Sequence, residues 1–255
     1  MAGYILEAHR GVGTEAPENT LSALRLAARQ GYGMIELDTK FTADGRCVLL
    51  HDETVNRTGR RAGGAPLLPD TRISSLTFEE ARRLDFGIAF GEAYRGEKLP
   101  ALEEVLAFAL EARIPLKFDS VLASSTEEEL ERFFATVEDM DALEVTGFTA
   151  WDTAFIRRVR SRFPDAQIHY DGPVSDETLD EVSSLVPSTH LTVWMRMDNA
   201  ETSWNRTPPV SEAAAARIHT LGRLGVWLLR EERELREAVE RYGADVIETD
   251  GTLKP

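Results

Sequence analysis

Ala8-His9-Arg10-Gly11, Met34-Ile35-Glu36-Leu37-Asp38 and Cys47-Val48-Leu49-Leu50-His51-Asp52 are the pieces of sequence that decide the fold. Three short apolar runs, Tyr4–Ala8, Met34–Leu37 and Cys47–Leu50, each end on polar residues: His9 and Arg10, then Asp38, then His51 and Asp52. Apolar runs closed by functional groups are the mark of buried parallel strands that deliver side chains to one rim of a sheet. A helix-forming segment over Thr20–Gln30 separates the first two runs, which predicts a right-handed βαβ unit. Strand side chains alternate faces, so Glu36 and Asp38 point the same way. His9 and His51 are expected to meet them there.

Working outward, Thr14–Thr20 reads as a loop with Thr20 as helix N-cap. Asp44-Gly45 is a hairpin-like turn signal between Phe41 and Cys47, so the second and third runs are joined closely. A long irregular insertion, about 53–100, follows the third run and is expected to cap the site. Helices and strands then alternate to the end, with strands at Ile114–Phe118, Leu143–Phe148, Gln167–Tyr170, Leu191–Met195, Val226–Leu229 and Asp245–Thr249. Nine candidate strands are one more than a closed barrel of eight needs, so one lies outside it or is misassigned. The expectation is one α/β domain over 1–255, a TIM (β/α)8 barrel with an insertion after the third strand; such barrels take about 250 residues.

Composition narrows the function. A formal charge of −15 and a pI near 4.8 argue against nucleic acid or an anionic membrane as partner, since both call for a basic surface. The lone cysteine, Cys47, forms no internal disulfide and falls inside a predicted strand. No run approaches the 18 or so apolar residues of a membrane span, and no signal peptide is read, so the expected compartment is cytoplasmic. Homo-oligomer formation is left open.

Taken together, His9-Arg10-Gly11, Ala16-Pro17-Glu18-Asn19-Thr20, Glu36-Leu37-Asp38, Thr42-Ala43-Asp44-Gly45, His51-Asp52 and Arg57-Thr58 resemble, in order and spacing, the glycerophosphodiester phosphodiesterase family. Leu99 to Leu106 and Gly243 to Asp250 resemble its later segments. The resemblance is strong through about the first 58 residues and weak between Ser120 and Gly222. It implies a TIM barrel, divalent-metal-dependent hydrolysis of a glycerophosphodiester to glycerol phosphate and an alcohol, and two histidines as acid and base. One departure stands out. The family's metal site takes a Glu from the strand that reads here Ile114-Pro115-Leu116-Lys117-Phe118-Asp119, followed two residues on by a Lys. Aligned without a gap, Lys117 takes the Glu position and Asp119 the Lys position. Asp119 is then the expected third metal ligand, and Lys117 contacts substrate, replaces part of the metal's charge, or pairs with Glu36.

The residues themselves point to compatible chemistry. A phosphodiester gathers negative charge on its non-bridging oxygens as a nucleophile adds, so cationic groups belong there. Arg10 is a candidate two-pronged contact. Glu36 and Asp38 on an apolar strand are costly without a cation, and oxygen ligation suits Mg²⁺ or Ca²⁺. His9 and His51 divide the proton transfers, imidazole titrating near neutrality. Taken singly, a strand-end histidine is more often a hydrogen-bonded core residue. Asp52 is read as orienting His51 or capping a loop, while Arg57, Arg60 and Arg61 collect an anion or line a solvated loop. Trp194 and Trp227, at late strand ends, are candidate walls for the leaving alcohol. Rival readings are a lyase that stops at a cyclic phosphate, a hydrolase for another phosphodiester, and an inactive barrel that binds a phosphodiester or a protein partner.

Overall fold

The computed structural model describes residues 3–197 and 207–255. In chain order the elements are β1 (Ile5–His9), α1 (Leu21–Gln30), β2 (Met34–Leu37), β3 (Thr39–Phe41), β4 (Cys47–Leu49), α2 (Phe78–Arg82), α3 (Leu102–Ala112), β5 (Leu116–Phe118), α4 (Glu127–Asp139), β6 (Thr146–Ala150), α5 (Thr153–Arg162), β7 (Gln167–Tyr170), α6 (Asp176–Leu185), β8 (Leu191–Arg196), α7 (Glu212–Ile218), β9 (Arg223–Trp227), α8 (Glu232–Glu240) and β10 (Val246–Thr249). Eight strands close a barrel in the order β1-β10-β9-β8-β7-β6-β5-β2. All eight pairings are parallel, so every strand delivers its C-terminal end to the same mouth.

The helices form because each offers one apolar stripe and a capped start. In α4, Thr126 and Glu129 make a reciprocal capping box, and Glu127, Glu128 and Glu129 complement the positive end of the helix. Its buried face is Leu130, Phe133, Phe134 and Val137. Phe133 meets Phe118 of β5 edge to face at 5.0 Å. Each fully buried side chain of this size stabilises the fold by about 1.5–3 kcal/mol. Outward-facing strand residues Ala8, Ile35, Leu37, Phe118 and Ile247 belong to the same apolar layer.

The expected strand at Cys47–Leu50 lies outside the barrel. Gly45, with φ 75°, turns the chain back so that β4 runs antiparallel to β3, Thr39 facing Leu49. An antiparallel return strand has no place in a parallel barrel. The strand ending at Phe118 is therefore the third stave, not the fourth, and the insertion starts directly beyond β2 with this hairpin. The rest of the insertion has its own small core of Val48, Leu50, Val55, Leu67, Ile73, Ala81, Phe86 and Leu99. The stretch from Trp204 to Arg206 lies outside the described residues. Among the described residues, no helix is long and apolar enough to cross a membrane.

Candidate active site

Alternation along the staves settles which side chains face the barrel axis. Ala8, Ile35, Leu37 and Phe118 lie in the outer apolar layer, so Glu7, His9, Glu36 and Lys117 point inward. Register aligns His9 with Glu36 and Glu36 with Lys117 across three neighbouring staves. On the other side of β1, Glu7 stands level with Glu248.

His9 Nδ1 donates to Asp250 Oδ1 at 2.7 Å, which leaves Nε2 without its proton in the neutral ring. That nitrogen lies 3.9 Å from Glu36 Oε2 and 4.0 Å from Glu248 Oε1. One ligand atom from each of the three lies within 4.8 Å of the other two. Glu36 Oε2 also accepts the Arg10 backbone N–H at 3.1 Å. The turn that aims this N–H holds Arg10 at φ 53° and Gly11 at φ 79°, and a Cβ on Gly11 would sit 2.7 Å from the Cβ of Ala23. Burial pushes the Glu36 carboxyl well above the usual carboxylate range, with Asp38, Glu248 and Asp119 adding to it. Lys117 and Arg10 act on Glu36 only at a distance, and its carboxylate and that of Glu248 converge beside His9 Nε2. Such an oxygen-rich set fits a hard divalent ion.

The second histidine is held in the same way. His51 Nδ1 donates to Asp52 Oδ1 at 2.6 Å. Arg57 Nε donates to Asp52 Oδ2 at 2.6 Å, and the Arg57 guanidinium reaches Glu18 at 2.7 and 2.8 Å. Burial would raise the Asp52 carboxyl, but Arg57 and His51 outweigh it and bring it down to about 2. Glu18 in turn accepts from Arg10 Nη1 at 3.2 Å, and Arg10 Nε lies 3.1 Å from Asp38 Oδ2. Asn19, in the left-handed region at φ 55°, donates its amide to Asp38 at 2.7 Å and accepts the Asp38 backbone N–H. An unbroken chain of charge-assisted contacts thus runs from His51 to Asp38, and its arginines are braced by carboxylates in advance of any ligand.

Lys117 pairs with carboxylates other than Glu36. Its ammonium donates to Glu248 Oε2 at 2.5 Å and to Glu7 Oε2 at 3.0 Å, and it lies 3.7 Å above the Trp194 ring. All four side chains are buried. Burial alone would lower the Lys117 pKa, but Glu248 and Glu7 outweigh it and keep the ammonium charged. Lys117, expected to contact substrate or to pair with Glu36, is therefore buried inside the barrel and held by Glu248 and Glu7 instead. Trp194 is corrected as well. It is 1 % exposed and packs below the mouth, its Nε1 donating to His169 Nδ1 at 3.1 Å. Trp227, at the end of β9, is half-buried.

The structure brings His9 and Glu36 together and ties Arg10 and Asp38 to them. It sets Asp119 apart from the three-residue cluster, its carboxylate accepting from Ser120 Oγ at 3.2 Å. Burial and Asp38 raise its pKa. Sequence reading missed Glu7, Glu248 and Asp250. The signal was there for the first two: each is a carboxylate in an apolar strand, the argument already applied to Glu36. Asp171, at the mouth end of β7, was missed too; burial raises it to about 7, and it accepts from the Thr207 hydroxyl at 2.8 Å.

Residues 9–252 match the model of the glycerophosphoryl diester phosphodiesterase family. A glycerophosphodiester phosphodiesterase from Caldanaerobacter subterraneus subsp. tengcongensis is 33% identical over 165 residues, 63% of this chain and 63% of that protein. Glycerophosphodiester phosphodiesterase 1 of Bos taurus is 42% identical over 114 residues, 44% of this chain and 32% of its own length. The aligned stretches thus span less than two thirds of these relatives. Among solved structures, an Oleispira antarctica phosphodiesterase in complex with the product sn-glycerol-3-phosphate superposes with a TM-score of 0.74 at 20% identity, covering 97% of this chain and 93% of that one. A glycerophosphoryl diester phosphodiesterase from Parabacteroides distasonis gives 0.75 at 21% identity, covering 97% and 82%. These structural likenesses carry the fold.

Proposed function

The chain belongs to the glycerophosphoryl diester phosphodiesterase family, and from that premise we propose that it hydrolyses glycerophosphodiesters to sn-glycerol 3-phosphate and an alcohol. The observation that carries this reading is the pair of histidines, each with a carboxylate on Nδ1, with His9 Nε2 standing beside the buried Glu36 and Glu248. A divalent cation, Mg²⁺ or Ca²⁺, bound at Glu36 would polarise the phosphoryl oxygens and offset their developing charge.

The chain's own residues do the rest. Asp250 and Asp52 fix the tautomers of His9 and His51, so each ring offers Nε2 to the reaction. Between them the imidazoles take the proton from the attacking hydroxyl and return one to the departing alkoxide. The attacking hydroxyl belongs either to water or to the substrate's own glycerol. Arg10, held by Glu18 and Asp38, keeps its position while the phosphate charge grows, and pre-set donors of this kind cost no reorganisation during the reaction. Glu18 and Asp52 limit how far Arg57 moves, so its guanidinium keeps a fixed place beside the aspartate that orients His51.

Phosphorus NMR of the products formed from glycerophosphocholine, glycerophosphoethanolamine, glycerophosphoglycerol and glycerophosphoinositol tests the proposal. The expected product is glycerol phosphate from at least one of them. Accumulation of a five-membered cyclic phosphate would make the chain a lyase, and inert diesters throughout would overturn the enzymatic reading.

A further inference from the structure

Three adjacent staves, β10, β1 and β2, place Glu248, His9 and Glu36 side by side. The next stave beyond β2 is β5, and at the level of Glu36 it presents an ammonium, Lys117. A carboxylate from β5 at that level is therefore absent, and the acid that reaches the same space comes from the opposite side of β1. We infer that Glu248 on the closing strand, and not Asp119 on β5, completes the divalent-cation site that Glu36 begins. This rests on the metal-dependent reading given above.

The two oxygens of Glu248 have separate employment. Oε2 is taken by Lys117 at 2.5 Å, while Oε1 faces His9 Nε2 at 4.0 Å. Lys117 cannot swing away, because Glu7 holds it at 3.0 Å and the Trp194 ring closes over it at 3.7 Å. Trp194 sits so close only because Gly225 has no Cβ, which would stand 2.5 Å from the indole. The ammonium thus orients Glu248 and leaves Oε1 facing His9, with a ligand atom of Glu248 within 4.8 Å of one on Glu36. Glu36 is fixed by the Arg10 N–H on Oε2. Asp119, by contrast, is absent from the cluster whose ligand atoms converge.

The test is Mn²⁺ binding, read from the electron paramagnetic resonance signal of the free aquo ion during titration of wild type, Glu36→Gln, Glu248→Gln and Asp119→Asn. Circular dichroism and thermal midpoints in chelator establish that each variant folds, and Glu248→Asp serves if Glu248→Gln does not. The expected result is a loss of affinity of about 100-fold or more for Glu36→Gln and Glu248→Gln, at least about 10-fold for Glu248→Asp, and only a few-fold for Asp119→Asn. Intact binding in the Glu248 variants with loss in Asp119→Asn overturns this inference and leaves the metal-dependent reading standing. A wild-type chain that takes up no Mn²⁺ overturns both.

Discussion

At the scale of single residues, the two histidines differ in setting but share one device. His9 ends a barrel strand and His51 stands in the loop after the hairpin, yet each gives its Nδ1 proton to an aspartate. Fixing the tautomer in this way matters because a ring that presents an N–H where a lone pair is needed cannot act as a base. His9→Asn or His51→Asn should lower kcat by about 10²–10⁴-fold, the usual worth of a positioned acid or base. Asp52→Asn and Asp250→Asn should each lower kcat/KM by about 10–100-fold, as expected when a supporting carboxylate is lost, with thermal midpoints nearly unchanged. Steady-state kinetics on whichever glycerophosphodiester is turned over fastest provide the check. Wild-type kcat/KM in both aspartate variants would mean that the dyads are only structural.

At the scale of elements, the barrel interior is assembled by leaving room where large side chains cross. A Cβ on Gly147 would lie 2.6 Å from His169 Nε2, and one on Gly225 would lie 2.5 Å from the Trp194 ring. Gly225→Ala should cost about 1–3 kcal/mol in urea unfolding, the usual penalty for overfilling a packed core. Its indole fluorescence should shift as Trp194 moves, whereas a silent substitution would show that β8 and β9 pack more loosely than described. The first strands were legible because their pattern is local: two inward carboxylates separated by one apolar residue, on a strand following a capped helix. The identity of the third stave was hidden because Cys47–Leu49 carries the same apolar signal as a barrel strand, and only the Asp44-Gly45 turn shows that it doubles back. Asp250 pairs with a histidine 241 residues away, a contact that exists only once β10 closes against β1. Local periodicity does not reveal which late strand that is. Trp194 misled for a related reason, since nearness to a strand end does not tell whether a side chain rises to the mouth or packs beneath it.

At the scale of the whole molecule, a strongly acidic chain has placed several of its carboxylates inside its own barrel, which makes stability depend on pH. Burial raises Glu7 from 4.5 to about 8, so between those values the folded protein keeps a proton that the unfolded chain releases. Its contribution is therefore whole below about pH 4.5 and is lost as pH rises to about 8, at no more than about 1.4 kcal/mol per pH unit for one proton. Urea midpoints in chelator should show Glu7→Gln gaining on wild type between pH 5 and pH 8.5; a constant difference would mean that Lys117 keeps Glu7 ionised throughout. The proposed chemistry depends on a divalent cation bound among these acids. The most direct measurement is turnover of a glycerophosphodiester followed by phosphorus NMR, first in excess chelator and then after Mg²⁺ or Ca²⁺ is restored. Release of glycerol phosphate should stop with chelator and resume with the metal, and undiminished turnover in excess chelator would contradict the account.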